Sequence, residues 1–138
     1  KRYPFPNEAV YFSWYADFSG VKTVSRAEVF AIPLGARLVR PRPGTRLVQF
    51  VTLANDGRSY IVSDAKVYAL APRGVLRHIK TAEVARALYG SDWETKIVPT
   101  LETFFSSFSI GADILSTADY SPSGASASAA TIDADLGI

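Results

Sequence analysis

This chain of 138 residues holds one histidine, His78, and no cysteine. Zinc sites draw on several His or thiolate ligands, so neither a His cluster nor a thiolate site can be assembled. Disulfides and thiol nucleophiles are excluded as well, although the lack of Cys does not fix the compartment. His78 with Glu83 and one of the many Ser residues would sketch a hydrolase, but no Gly-x-Ser-x-Gly turn is present to carry the nucleophile. Asp56-Gly57 and Asp113 are too sparse for a calcium loop, and Gly35 and Gly44 lack the Lys-Ser/Thr that follows a phosphate-binding loop. The expectation is a protein that is not an enzyme and uses no cofactor or metal.

The strongest charged feature is Arg37, Arg40, Arg42 and Arg46, interrupted by Pro41 and Pro43. Three readings stand side by side: a solvated connector stiffened by proline, a site for an anionic partner, or a nucleic-acid contact. The aromatics are not interleaved with these arginines as stacking platforms would require, so no nucleic acid is expected. The formal net charge of +2 is unevenly placed. Residues 115 to 138 hold Asp119, Asp133 and Asp135 without a Lys or Arg, so this tail carries −3 and the body +5. Such opposed parts favour encounter between copies, within a screening length of about 8 Å. Tyr11, Phe12, Trp14, Tyr15 and Phe18 form a second dense set, readable as core with an interface patch or as a carbohydrate-stacking face.

Both sets sit within a repeat of about 75 residues. Arg2 aligns with Arg77, Glu8 with Glu83, Asp17-Phe18 with Asp92-Trp93, and the IPLGARL stretch at Ile32 with FSIGADI at Phe108. In the second copy, Lys66–Ala71 and Val75–Ile79 flank Pro-Arg-Gly as a β-hairpin. Thr81 caps a helix that Gly90 ends, 96–98 is extended, and 100–108 reads as a second short helix. In the first copy Asn7 and Ser25 cap helices, 21–24 is extended, and 37–39 and 45–50 are strand candidates. Asn55 to Gly57 is a turn. The fold class is therefore α+β, two tandem repeats each with hairpin strands and two short helices. Residues 1–43 form a first repeat lacking its N-terminal hairpin strand, and 44–115 a second.

Beyond these, Ser116 to Ser128 reads as a flexible linker, spanning roughly 20 Å on average and about 43 Å at most. In 129–138 Ile132, Ala134, Leu136 and Ile138 alternate with Asp133, Asp135 and Gly137, the pattern of a half-buried strand. The first repeat thus has an unpaired strand at Tyr3 and Phe5, and the tail offers a spare one. Insertion of 132–138 beside Tyr3 and Phe5 of a neighbour would give a head-to-tail contact that need not close.

KRYPFPNEAVYFSW, VKTVS, IPLGARLVRPRPGTRLVQF and KVYALAPRGVLRHI resemble repeats of predicted bacterial cell-surface and surface-layer-like proteins. The resemblance covers about residues 1 to 114 and implies an extracellular structural or display role. The leading expectation is a subunit of an extracellular filament or surface assembly, polymerising with copies of itself by strand complementation. The alternative is a monomeric surface-binding module for cell-wall glycan or another anionic polymer, using Arg37, Arg40, Arg42 and Arg46. No run reaches the roughly 18 apolar residues of a membrane span. A chain opening on Lys1 and lacking Met reads as a processed product or part of something longer.

Overall fold

The computed structural model describes residues 1–138. Its helices begin where the sequence supplies oxygen-bearing caps. Asn7 accepts the Val10 N–H at the head of α1 (Glu8–Trp14). Ser25 and Glu28 form a reciprocal capping box on α2 (Arg26–Ala31), and Thr81 accepts the Val84 N–H at α3 (Ala82–Tyr89). Each cap satisfies an N–H that the helix itself leaves unpaired.

Six strands form one sheet: β1 (Leu47–Leu53), β2 (Tyr60–Val62), β3 (Tyr68–Ala71), β4 (Val75–His78), β5 (Ile97–Leu101) and β6 (Ser109–Ile110). The β3–β4 hairpin turns through Pro72–Gly74, and the β1–β2 hairpin through a loop in which Gly57 takes φ +65°. β1 also runs antiparallel to β3 and parallel to β5, pairing Leu47 with Ile97 through Val51 with Leu101. β4 runs parallel to β6. The result is a mixed α+β fold with a curled, antiparallel-dominated sheet and several short helices. β1 has strands on both sides, which is why its residues LVQFV read as a nearly continuous apolar run.

The segment expected as a second helix, 100–108, starts as the end of β5 and continues as a 3-10 helix at Glu102–Ser107. Residues 37–39, a strand candidate, join no strand. Val39 donates one main-chain bond to Pro4 O at 3.0 Å. Residues 2–5 make only a single parallel bridge, Arg2 to Leu34.

The larger correction concerns the tail. Ser116 to Ser128 is not a free tether. Tyr120 is buried and donates to Leu70 O at 2.8 Å, and Pro122–Ser128 forms α4 behind a Ser121 cap. Its alanines and serines are small enough to let the helix lie close to the body. Ala125 and Ala129 are buried, Ser126 Oγ donates to Pro43 O at 2.7 Å, and Gly44, at φ +78°, leaves no room for a Cβ beside Pro122 O. The segment carrying Ile132, Ala134, Leu136 and Ile138 is not a strand. Ile132–Leu136 is a short helix, α5, with Thr131 accepting the Ala134 N–H and Gly137 closing it at φ +71°. Ile132 and Leu136 are apolar at i and i+4 as well as in alternation, so seven residues could not separate the two periods. Asp133 in the first turn and a Thr cap in front of it favour the helix.

The core is divided into three groups: Leu47, Ala69, Ile79, Ala85, Tyr89, Ile114, Tyr120 and Ala125 on one side of the sheet, Val48, Phe50, Tyr68, Leu70 and Leu76 on the other, and Val10, Val39 and Val98 beyond β5. Tyr3, Phe5, Trp14 and Ile132 pack on the third group, so the first residues, β5 and the tail share one small core.

Candidate functional site

The four arginines do not form one surface. Arg40 is 5% exposed and its partner Asp135 1%. Arg40 Nε and Nη2 donate to Asp135 Oδ2 at 3.1 and 3.0 Å, and Nη2 also donates to Asp135 O at 2.7 Å. The Arg73 N–H donates to Asp135 Oδ1 at 2.8 Å, and Arg40 Nη1 to Ser107 O at 3.3 Å. Arg37 Nη1 donates to Leu136 O at 2.9 Å. The Arg42 guanidinium lies 5.8 Å from the Trp14 ring centre, with its Nη2 3.5 Å from Ser126 O. Arg46 makes no such contact. Cationic connector and acidic tail therefore meet, but inside one chain.

The solvated-connector reading fails for the same stretch, because Val39, Arg40, Pro41 and Pro43 are buried. Trp14 Nε1 donates to Arg40 O at 2.8 Å, and the Arg42 N–H to Ser13 Oγ at 2.8 Å, pinning the connector to α1. Arg73 sits at φ +64°, unusual for a residue with a side chain, in the position that aims its N–H at the Asp135 carboxylate. Gly74 follows at φ +76°, where a Cβ would meet the Arg40 guanidinium. The tail's strand-like alternation hid this junction, since Asp135 was placed on the outer face.

Tyr3 and Phe5, expected to accept a neighbour's strand, are half-covered by their own chain. Gly35 N–H donates to Arg2 O at 2.8 Å along one edge, and both aromatic rings join the core group that Ile132 also enters. Leu136 and Ile138 line a small cleft with Tyr3. The C-terminal segment reaches the expected place, as a helix and at home.

His78 lies on β4 with its ring 5.8 Å from that of Tyr68, whose hydroxyl donates to Asp64 Oδ2 at 2.9 Å. Burial, then Lys80 and Lys66, hold His78 below its ordinary 6.5, against the opposing pull of Asp113 and Asp64. Burial and the Asp64 carboxylate push Tyr68 up to about 12. No hydroxyl nucleophile bonds to His78, and no group of three or more His, Asp or Glu side chains gathers anywhere.

What the structure leaves open is the stretch from Trp14 to Leu38, in which no residue is buried. Seven of the sixteen exposed large apolar side chains fall here, including Phe18, Val21, Val24, Phe30 and Leu34. Phe5, Tyr11, Phe12, Tyr15 and Phe18 form a connected aromatic group, with Tyr11 stacked on Phe18 at 4.9 Å. The guanidinium groups of Arg2 and Arg26 lie over Phe30 at 5.1 and 5.3 Å. α2 has a complete capping box yet buries nothing. A helix that short has little stability of its own in water.

Two measurements check this geometry. Arg40→Met strands a buried carboxylate and should cost about 3–5 kcal/mol in urea unfolding. Adding Asp135→Leu should recover most of that, short by about 1 kcal/mol for the Arg73 N–H left unpaired. For His78, a folded-state value below the unfolded one means that protonation favours unfolding. Stability is complete above pH 6.5 and falls as pH drops through it. The loss between neutral pH and pH 5.5 should shrink in His78→Gln, whereas an unchanged pH profile would show that the imidazole does not sense its surroundings.

No protein-family model matches the chain, and no curated protein and no solved structure matches it either.

Proposed function

We propose that the chain is a non-catalytic structural module of an extracellular surface assembly, joined to its neighbours through the uncovered face between Trp14 and Leu38. The observation that carries this reading is that a folded, capped segment of the chain has no fully buried residue and exposes seven large apolar side chains. The extracellular setting rests on the resemblance of KRYPFPNEAVYFSW and KVYALAPRGVLRHI to surface-layer-like repeats. Insertion of the C-terminal strand into a neighbour is no part of the proposal, because residues 132–136 are helical and Asp135 is held by Arg40.

The repeat plan supports the same reading. The main-chain acceptors Arg2 O and Pro4 O, followed by the Asn7 cap, recur as Leu76 O and His78 O followed by the Thr81 cap, a register one residue shorter than the sequence alignment of Arg2 with Arg77. Their donors are Gly35 and Val39 in one case, Gly111 and Ile114 in the other. The extended 21–24 and helix α2 then correspond to β5 and the 3-10 helix at Glu102–Ser107. Proteins built from repeats bury each unit against the next, and a unit whose cover is absent presents an adhesive face.

A module for anionic polymers remains the second reading. It is favoured by an open polar cleft lined by Arg37, Arg73, Ser106, Ser107 and Gly137, and weakened by the tail's use of Arg40 and Arg42. Sedimentation velocity separates the two. Concentration-dependent growth in size that Phe18→Ser with Phe30→Ser abolishes is the expected result. A chain that stays monomeric at every concentration, yet binds dextran sulfate and loses that binding in Arg37→Ala, would overturn it.

A further inference from the structure

The two halves differ in one respect that identifies what the open face takes. In the second half β5 is covered along its length by β1, in parallel, and β4 is paired with β3. There Leu47, Val48, Phe50, Val51, Ala69 and Leu70 are all buried. In the first half the segment equivalent to β5, Val21–Val24, has no strand beside it, and Val21 and Val24 are both more than half exposed. The segment equivalent to β4, Arg2–Pro4, is bonded on the side of Pro33 and Gly35 and has no strand on the other. Two strand edges are open, and by this correspondence they are the two that β1 and β3 close in the second half.

From this we infer that the Trp14–Leu38 face is a docking site for an antiparallel strand pair with the side-chain pattern of β1 and β3, carried by a neighbouring unit of the same plan. This inference rests on the structural-module reading and names its partner element. One strand runs parallel to Val21–Val24 and supplies alternating branched and aromatic side chains. The second pairs antiparallel with Arg2–Phe5, as β3 pairs with β4. Main-chain bonds along both edges give the attachment, and the apolar side chains give the register. The size is sufficient. The seven exposed large apolar side chains of this face present on the order of 700 Å², close to the roughly 800 Å² per partner of a standard interface. A second copy supplies the pair by releasing its own β1 and β3 from the sheet that holds them, an exchange of identical elements between copies.

The chain itself supplies the probe. Residues 44–74 carry β1, β2 and β3 and end at Gly74, and Lys1 corresponds to Val75 by the acceptor pattern given above. Joining a second copy of 44–74 directly ahead of Lys1 of the full chain therefore puts a strand pair in register with Arg2. Hydrogen exchange read by mass spectrometry, with a scrambled extension of equal composition as control, tests the fit. The expected result is exchange slowed at least about tenfold over Val21–Val24 and a thermal midpoint raised by about 5 °C or more. Exchange over Val21–Val24 that matches the scrambled control would overturn the inference, whether or not the extension is itself folded. The outcome is separable from that of the structural reading. A parent chain that never self-associates defeats the latter, whereas protection of Val21–Val24 in the extended chain is read without any association between molecules.

Discussion

The Arg40–Asp135 pair ties together four parts of the chain that otherwise share little. Arg40 belongs to the proline-stiffened connector, Asp135 to the last helix, Arg73 to the β3–β4 turn and Ser107 to the 3-10 helix after β5. With both side chains almost fully buried, the charges are tolerated only because nearly every polar atom has a partner. An apolar contact could hold α5 against the body from several directions. A guanidinium bonded to one carboxylate, one tail carbonyl and one neighbouring carbonyl holds it in one, which is how a fold with only 25 buried residues among 138 keeps its tail in place. The Tyr120 hydroxyl on Leu70 and Ser126 on Pro43 hold the start of the same segment.

Fixing the tail at home has a consequence for association. With residues 120–138 packed against the connector and the third core group, the tail is covered, whereas no residue from Trp14 to Leu38 is buried. The two halves begin alike, with a short extended stretch, a capped helix and a return to a glycine. They part where the second half covers its extended segment with β1 and the first leaves 21–24 bare. A capped α2 that leaves no residue buried is costly to maintain alone, which is the observation behind the proposed docking face.

Much of the local structure is legible in the amino-acid sequence, because it depends on residues a few positions apart. Asn7, Ser25 and Thr81 cap helices as their side-chain oxygens suggest, and the hairpin around Pro72–Gly74 follows from two β-favouring runs and a turn. The parallel ladders β1–β5 and β4–β6 are not legible, since nothing in a five-residue apolar run names its partner fifty residues away. The tail was misread for a different reason. Alternation over seven residues and an i, i+4 pair predict the same positions for Ile132 and Leu136, and the deciding fact, a buried carboxylate meeting an arginine 95 residues away, is tertiary. Serine and alanine suit a flexible linker and close helix packing alike, and here they pack. The charge asymmetry of body and tail, expected to favour encounter between copies, is met in this structure by the Arg40–Asp135 pair within one chain.

The account stands on the tail folding against its own chain. An isotope-filtered NOE experiment on a mixture of labelled and unlabelled protein addresses that directly, through the Ile132 methyls and those of Val10 and Val39, which share the third core group. The account predicts that these cross-peaks appear within uniformly labelled protein and vanish from the spectrum that records only contacts between labelled and unlabelled molecules. Strong Ile132–Val39 cross-peaks in that filtered spectrum would mean that the segment is exchanged between molecules, and would contradict it.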